Sequence, residues 1–206
     1  MENKLIHSTA IKLVNWLSRN NPREGKAYLR LVYNTEALLM NITKLIIVFA
    51  ISLSIGILPL TIATLIGFNV IRRYSFGIHA KNSTVCTIFS IIMFILIPFV
   101  LKNIGVPNFV VLPVFVLIIM TLFLYAPSDT EARPLVGKKK RAKLKKRALV
   151  SGTLLMLAVL LFPVGSIKTM LTLGAVYEVI SILPISYMIL NRKHNNYERY
   201  EQKIEG

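Results

Sequence analysis

Between residues 42 and 190 the chain is a succession of apolar runs: 42–58, 60–71, 84–101, 109–125, 148–164 and 169–190, parted by short polar gaps. A helix that crosses a bilayer needs ~20 apolar residues at ~1.5 Å of rise each. Most of the runs reach or approach that length, and there are too many for one soluble core. Composition agrees: 54% of residues are hydrophobic, 17% are charged, and mean hydropathy is +0.61, outside the usual range of a soluble domain. The expected fold class is all-α, a polytopic membrane protein with about six transmembrane helices in a single membrane-embedded domain over 1–206.

Charge sets the expected orientation. Twenty-five Lys and Arg oppose nine Asp and Glu, a net charge of +16. In a membrane protein such an excess reports topology rather than nucleic acid, so no nucleic-acid partner is expected. With six spans and both termini cytoplasmic, only Lys102 and Lys168 of all the basic residues fall outside. A single crossing over 42–71 would instead put KKKRAKLKKR (138–147) outside, against the positive-inside rule. Residues 56–60 (GILPL) are therefore read as a turn, and 60–71 as a short returning span.

Residues 1–41 form the cytoplasmic or interfacial part. Ile6, Ala10, Leu13, Val14 and Leu17 recur at helical spacing, with His7, Lys12 and Asn15 elsewhere on the wheel. This predicts an amphipathic helix over 5–17, lying on the membrane or packed against the protein. NNPREG (20–25) breaks it, and a second helix is expected from about Lys26. The first twenty residues do not resemble a secretory signal peptide.

The lone cysteine excludes an internal disulfide, and no His, Cys, Asp or Glu group has metal-ligand spacing; no metal or cofactor is expected. Its setting, YSFGIHAKNSTVC (74–86), lies on the cytoplasmic side between two apolar runs. A cysteine nucleophile needs a base, usually histidine. Seven helical residues would separate His79 and Cys86 by about 10.5 Å along an axis, so a joint role requires the backbone between them to turn. Gly77 permits unusual backbone angles. A helix starting near Ser83 would put Cys86 in its first turn, where the dipole favours a thiolate. Arg72, Arg73 and Lys81 add positive potential. Spacing alone favours a small packing residue for Cys86 and a solvated loop histidine for His79.

RRYSFGIHAKNSTVC (72–86) resembles the active-site segment of the accessory gene regulator protein B family, bacterial membrane endopeptidases that process quorum-sensing peptide precursors. Arg73, Tyr74, Gly77, His79, Ala80 and Cys86 match its pattern, and Phe76 stands where the first glycine usually sits. YAPSDTEARPL (125–135) is similar to the family's Ala-Pro-x-Asp-Thr-x-x-Arg-Pro segment. RLVYNTEALLMNITK (30–44) is similar to a stretch before the first span, with Asn34 and Thr35 replacing the usual glycine and leucine. The resemblance implies that Cys86 and His79 are catalytic, with Gly77, Arg72 and Arg73 supporting the loop. It implies an AgrD-type propeptide substrate with an acidic C-terminal tail, cleaved through an acyl-thioester on Cys86 and cyclised to a thiolactone or lactone. It also implies a bacterial plasma-membrane location.

Other residues are candidates for supporting roles. Asp129, Glu131 and Glu36 could orient His79 as the third member of a triad does. Residues 128–131 (SDTE) fit a capping box. Lys138, Lys139, Lys140, Arg141, Lys143, Lys145, Lys146 and Arg147 set topology against anionic lipid and could dock the substrate's acidic tail. Glu178, mid-span, is expected to make a polar contact between helices, with Lys168, Asn69 or Tyr177 as partner. A homodimer is expected because six short helices enclose little volume. The alternative is a small transporter with Glu178 and Asn69 lining a polar path.

Overall fold

The computed structural model describes residues 2–19, 25–78, 83–130, 134–193, 196–198 and 201; His79, Lys81 and Glu131 lie outside the described residues. Among the described residues the regular structure is helical, with no strand. The elements are α1 (Glu2–Leu17), α2 (Gly25–Ser54), α3 (Leu58–Ser75), α4 (Ser83–Ile91), a π-helical turn (Ile92–Leu96), α5 (Ile97–Val100), α6 (Asn108–Tyr125), α7 (Lys138–Leu161), α8 (Ser166–Ile182) and α9 (Pro184–Ile189). The chain divides into two compact units, 1–51 and 52–206.

In the first unit α1 runs antiparallel to the start of α2. Tyr28 donates to Asn15 Oδ1 at 2.9 Å, and Glu36 pairs with His7, so eight residues along α2 match eight back along α1. The expected apolar stripe is used: Ala10 and Val14 are fully buried, as are most of Val32 and Thr35 of α2. Leu17, on the same stripe, is more than half exposed.

In the second unit α3 and α8 form the central pair. They approach unusually closely because glycine stands at each crossing point. A methyl on Gly67 would lie 2.2 Å from the Leu171 carbonyl oxygen, and one on Gly174 would lie 2.1 Å from that of Thr64. This is the small-residue packing that membrane helices favour, where close backbone approach replaces the hydrophobic drive. α6 lays Val111, Phe115, Ile118 and Leu122 on the core, spaced as one helix face, and α7 adds Ala148, Leu155 and Val159. The opposite side of α6, including Leu117, Met120, Phe123 and Leu124, is exposed.

Prolines and glycines account for the interruptions. Gly56, at φ +73°, turns the chain between α2 and α3, and Pro59 follows in the first turn of α3. Pro98 has no N–H to offer the Phe94 carbonyl four residues before it, and the helix widens to a π turn there. Thr61 of α3 supplies the missing donor, 2.9 Å from that carbonyl. Pro184 separates α8 from α9.

Several expectations change in detail. The run read as 60–71 is an 18-residue helix, Leu58–Ser75, about 27 Å long. The basic run 138–147 is helical and opens α7. Residues 128–130 do not start a helix; Ser128 donates instead to the Ile182 carbonyl at 3.1 Å. By length and composition, Ala27–Ser54 and Asn108–Tyr125 are able to cross a membrane, and Thr84–Val100 is apolar but shorter.

Candidate active site

The segment leading to His79 begins where α3 ends. Phe76 takes φ +65° and Gly77 φ +95°, so the chain reverses sharply after Ser75. Hydrogen bonds from two directions hold this reversal. The Gly77 N–H donates to the Ser128 carbonyl at 3.3 Å, and the Ser128 N–H donates to that of Ser75 at 2.9 Å. The Ile78 N–H donates to the Ser181 carbonyl at 3.2 Å. Gly77 is required on two counts: its φ is left-handed, and a Cβ there would meet Ser181 Oγ at 2.4 Å. The two motif segments, 72–86 and 125–135, are thus joined through the backbone of Ser128.

Arg72 is engaged through its side chain. Its Nη1 donates to Glu178 Oε2 at 2.9 Å and to Ser181 Oγ at 3.1 Å, and its Nη2 donates to the Ile78 carbonyl at 3.0 Å. The guanidinium carbon lies 5.0 Å from the centre of the Phe68 ring. Arg72 is therefore an ion-paired fork rather than a source of open positive potential. Arg73 is exposed and lies near the Tyr74 ring.

Glu178 is fully buried. Its partners are Arg72, Ser75 (Oγ to Oε1, 2.5 Å) and Ser181 (3.2 Å), not the three residues anticipated for it. Lys168 donates to Asn108 and to the Phe162 carbonyl, and Asn69 donates to the Leu65 carbonyl. The sequence signal for the true pairing was present but faint. Arg72 and Ser75 share one face of α3, and Glu178 and Ser181 share one face of α8, each pair one helical turn apart.

Cys86 lies in the first turn of α4, which begins at Ser83, and is half-buried. Its carbonyl accepts the Ser90 hydroxyl at 2.9 Å.

Asp129 is buried, and its oxygens accept the backbone N–H groups of Asn196 (2.9 Å) and Tyr197 (2.8 Å). It clasps the C-terminal segment. Glu36 meets His7 within the first unit. In the basic run, Arg141 binds Glu201 through two hydrogen bonds of 2.6 and 3.2 Å and lies 3.8 Å from the Tyr197 ring centre. That bond holds the Glu201 carboxyl below the ordinary range for a glutamate. Lys145 Nζ sits 4.6 Å over the Phe123 ring. Lys138, Lys139, Lys140, Lys143, Lys146 and Arg147 are exposed.

The sequence profile of accessory gene regulator B matches residues 10–182, most of the chain and both motif segments. The chain belongs to the accessory gene regulator B family. It is 43% identical over 202 residues to a putative AgrB-like protein of Clostridium acetobutylicum, covering 98% of this chain and 95% of that one. A putative AgrB-like protein of Listeria welshimeri is 44% identical over 179 residues, 86% of this chain and 87% of that one. Accessory gene regulator protein B of Staphylococcus aureus is 28% identical over 177 residues, 86% and 93% of the two chains. No solved structure matches. With this family membership and two helices able to span a bilayer, the AgrB-family chain is a membrane protein.

Proposed function

We propose that this AgrB-family chain is a membrane cysteine endopeptidase that removes the C-terminal tail of an autoinducing-peptide precursor and leaves the signal peptide cyclised. The observation that carries the reading is the placement of Cys86 in the first turn of α4, seven residues after His79 in the sequence, in a family member whose residues 76–78 are hydrogen-bonded to two other segments. Cys86 sulfur attacks the carbonyl of the peptide bond before the tail, with His79 taking the thiol proton. The C–N bond breaks, His79 returns the proton to the departing amine, and the signal segment remains as a thioester on Cys86. A thiol or hydroxyl within the substrate then attacks that carbonyl, giving up its proton to His79. The ring closes as a thiolactone or lactone, and the Cys86 thiolate leaves. Making a thioester from an amide is uphill, so loss of the tail and export of the product draw the reaction forward. Exclusion of water at the membrane edge protects the thioester from hydrolysis.

The reading includes six spans with both termini and the site on the cytoplasmic side. There the exposed lysines of α7 meet anionic lipid and the substrate's acidic tail, and a second copy completes a homodimer. A transporter path loses its main support, because Glu178 is occupied by Arg72 and two serines. The test is mass spectrometry of purified enzyme with candidate acidic-tailed precursors in proteoliposomes. An acyl adduct on Cys86 is expected, with no processing by Cys86→Ser or His79→Ala. Continued cleavage by either variant ends the proposal.

A further inference from the structure

No step of the chemistry above uses Glu178, yet a carboxylate fully buried on a membrane helix is costly unless it is paired and hydrogen-bonded. Three donors from two helices satisfy it: Arg72 and Ser75 of α3 and Ser181 of α8. What this arrangement accomplishes is visible at the other end of the guanidinium. An arginine head is a rigid planar fork. Fixing Nη1 on the carboxylate also fixes the direction of Nη2, which donates to the Ile78 carbonyl at 3.0 Å. The N–H of the same residue is held by the Ser181 carbonyl at 3.2 Å. Both peptide groups of the residue immediately before His79 in the sequence are therefore referred to α8, one directly and one through Arg72.

The turn they hold is strained. Phe76 at φ +65° is a bulky side chain in a conformation that glycine adopts freely, and Gly77 follows at φ +95°. Backbone of this kind persists only where its surroundings over-determine it.

We propose that Glu178 is a positioning residue for the processing reaction: through Arg72 it fixes the Ile78 peptide, the link to which His79 is attached. The proposal rests on the Cys86/His79 reading. It requires that Glu178 act by way of Arg72, which a conventional packing role does not.

The test uses the full chain in proteoliposomes with an acidic-tailed precursor and compares Glu178→Gln, Arg72→Lys and the double variant. Lysine keeps the charge but has no second donor arm for Ile78, so it is expected to fail as glutamine does. Each single variant should lower kcat about a hundredfold, the scale expected for a small misplacement of a catalytic group, with KM unchanged. The double variant should be no worse than the poorer single. Amide exchange should rise at residues 76–78 and not in α6 or α7. Near-normal kcat in Glu178→Gln, multiplying losses in the double, or a raised KM with kcat intact would each overturn the proposal. If Glu178→Gln does not insert, Arg72→Lys and Ser181→Ala carry the same kinetic test. Cys86→Ser and His79→Ala run alongside. If either still processes precursor, the underlying mechanism falls; if both are inactive while Glu178→Gln is active, only the positioning role falls.

Discussion

Gly174 of α8 lies against the backbone of α3 so closely that a methyl at its Cα would stand 2.1 Å from the Thr64 carbonyl oxygen and 2.7 Å from the Phe68 nitrogen. Gly67, on the facing helix, stands in the same relation to Leu171. Because the obstructing atoms are backbone, neither site can relax by rotating a side chain. Gly174→Ala and Gly67→Ala should each force the central helix pair apart, costing about 3 kcal/mol or more. Unfolding of purified protein in detergent checks this; variants within ~0.5 kcal/mol of the parent would refute it.

The neighbours Phe76 and Gly77 should respond in opposite ways. Gly77→Ala adds left-handed strain of about 1–2 kcal/mol and a clash with Ser181 Oγ. Processing by that variant should fall at least tenfold, in protein that still inserts. Phe76→Gly relieves comparable strain while adding freedom to the unfolded chain. It should process precursor at nearly the parent rate. Precursor cleavage by the two variants side by side decides the matter, and equal losses would contradict the turn geometry.

Charge reversal at Lys139, Lys143 and Lys146, all exposed on α7, should raise KM for an acidic-tailed precursor roughly five- to tenfold, since each exposed pair contributes ~0.2–1 kcal/mol. The kcat should hold, and the difference should shrink as salt rises. Arg141→Glu belongs to a different class, because Arg141 is engaged with Glu201. An unchanged KM in the triple variant would remove the docking role.

The Arg141–Glu201 link should open in acid. Glu201 has a lowered carboxyl pKa, chiefly through its hydrogen bond to Arg141. Its contribution is therefore complete above the ordinary glutamate range, near pH 4.5, and is lost as pH falls through the lower folded value. Amide exchange at Gly137, whose N–H donates to Glu201 Oε1 at 2.9 Å, corrected for the intrinsic rate, should show protection that fades as pH falls below the ordinary glutamate range. In Glu201→Gln that protection should be weak at every pH. Equal protection in both proteins would show that the Glu201 carboxylate does not hold that N–H.

Orientation can be read with single cysteines placed in a Cys86→Ser background. An impermeant maleimide applied to intact cells should label Asn103→Cys and Val164→Cys. It should reach Lys139→Cys and Asn191→Cys only after lysis. Labelling of Lys139→Cys from outside would invert the proposed topology.

How much of this was legible beforehand follows the range of the forces involved. Helices α3, α4 and α6, the turn at Gly56 and the start of α4 at Ser83 could be anticipated, because hydropathy, glycine and capping residues act within a few positions. A contact between the two motif segments was expected through the carboxylate of Asp129 or Glu131; the described atoms that join them are backbone groups of Ser128, on which side-chain chemistry is silent. The Arg72–Glu178 pair spans 106 residues, and no local pattern names a partner so far away. Asp129 was legible only as a carboxylate beside an active-site motif; its hydrogen bonds to the backbone N–H groups of Asn196 and Tyr197 reach across 67 and 68 residues, beyond any local pattern.

That last arrangement has a practical side. Asp129 grips Asn196 and Tyr197, and the adjacent Ser128 grips Gly77. The rear of the polypeptide is consequently a short mechanical linkage from the residues that precede His79. A bulky reporter fused just behind Glu201 would tug on that linkage and disturb the turn at residues 76–78. The turn around Asn103 is the safer place for a label.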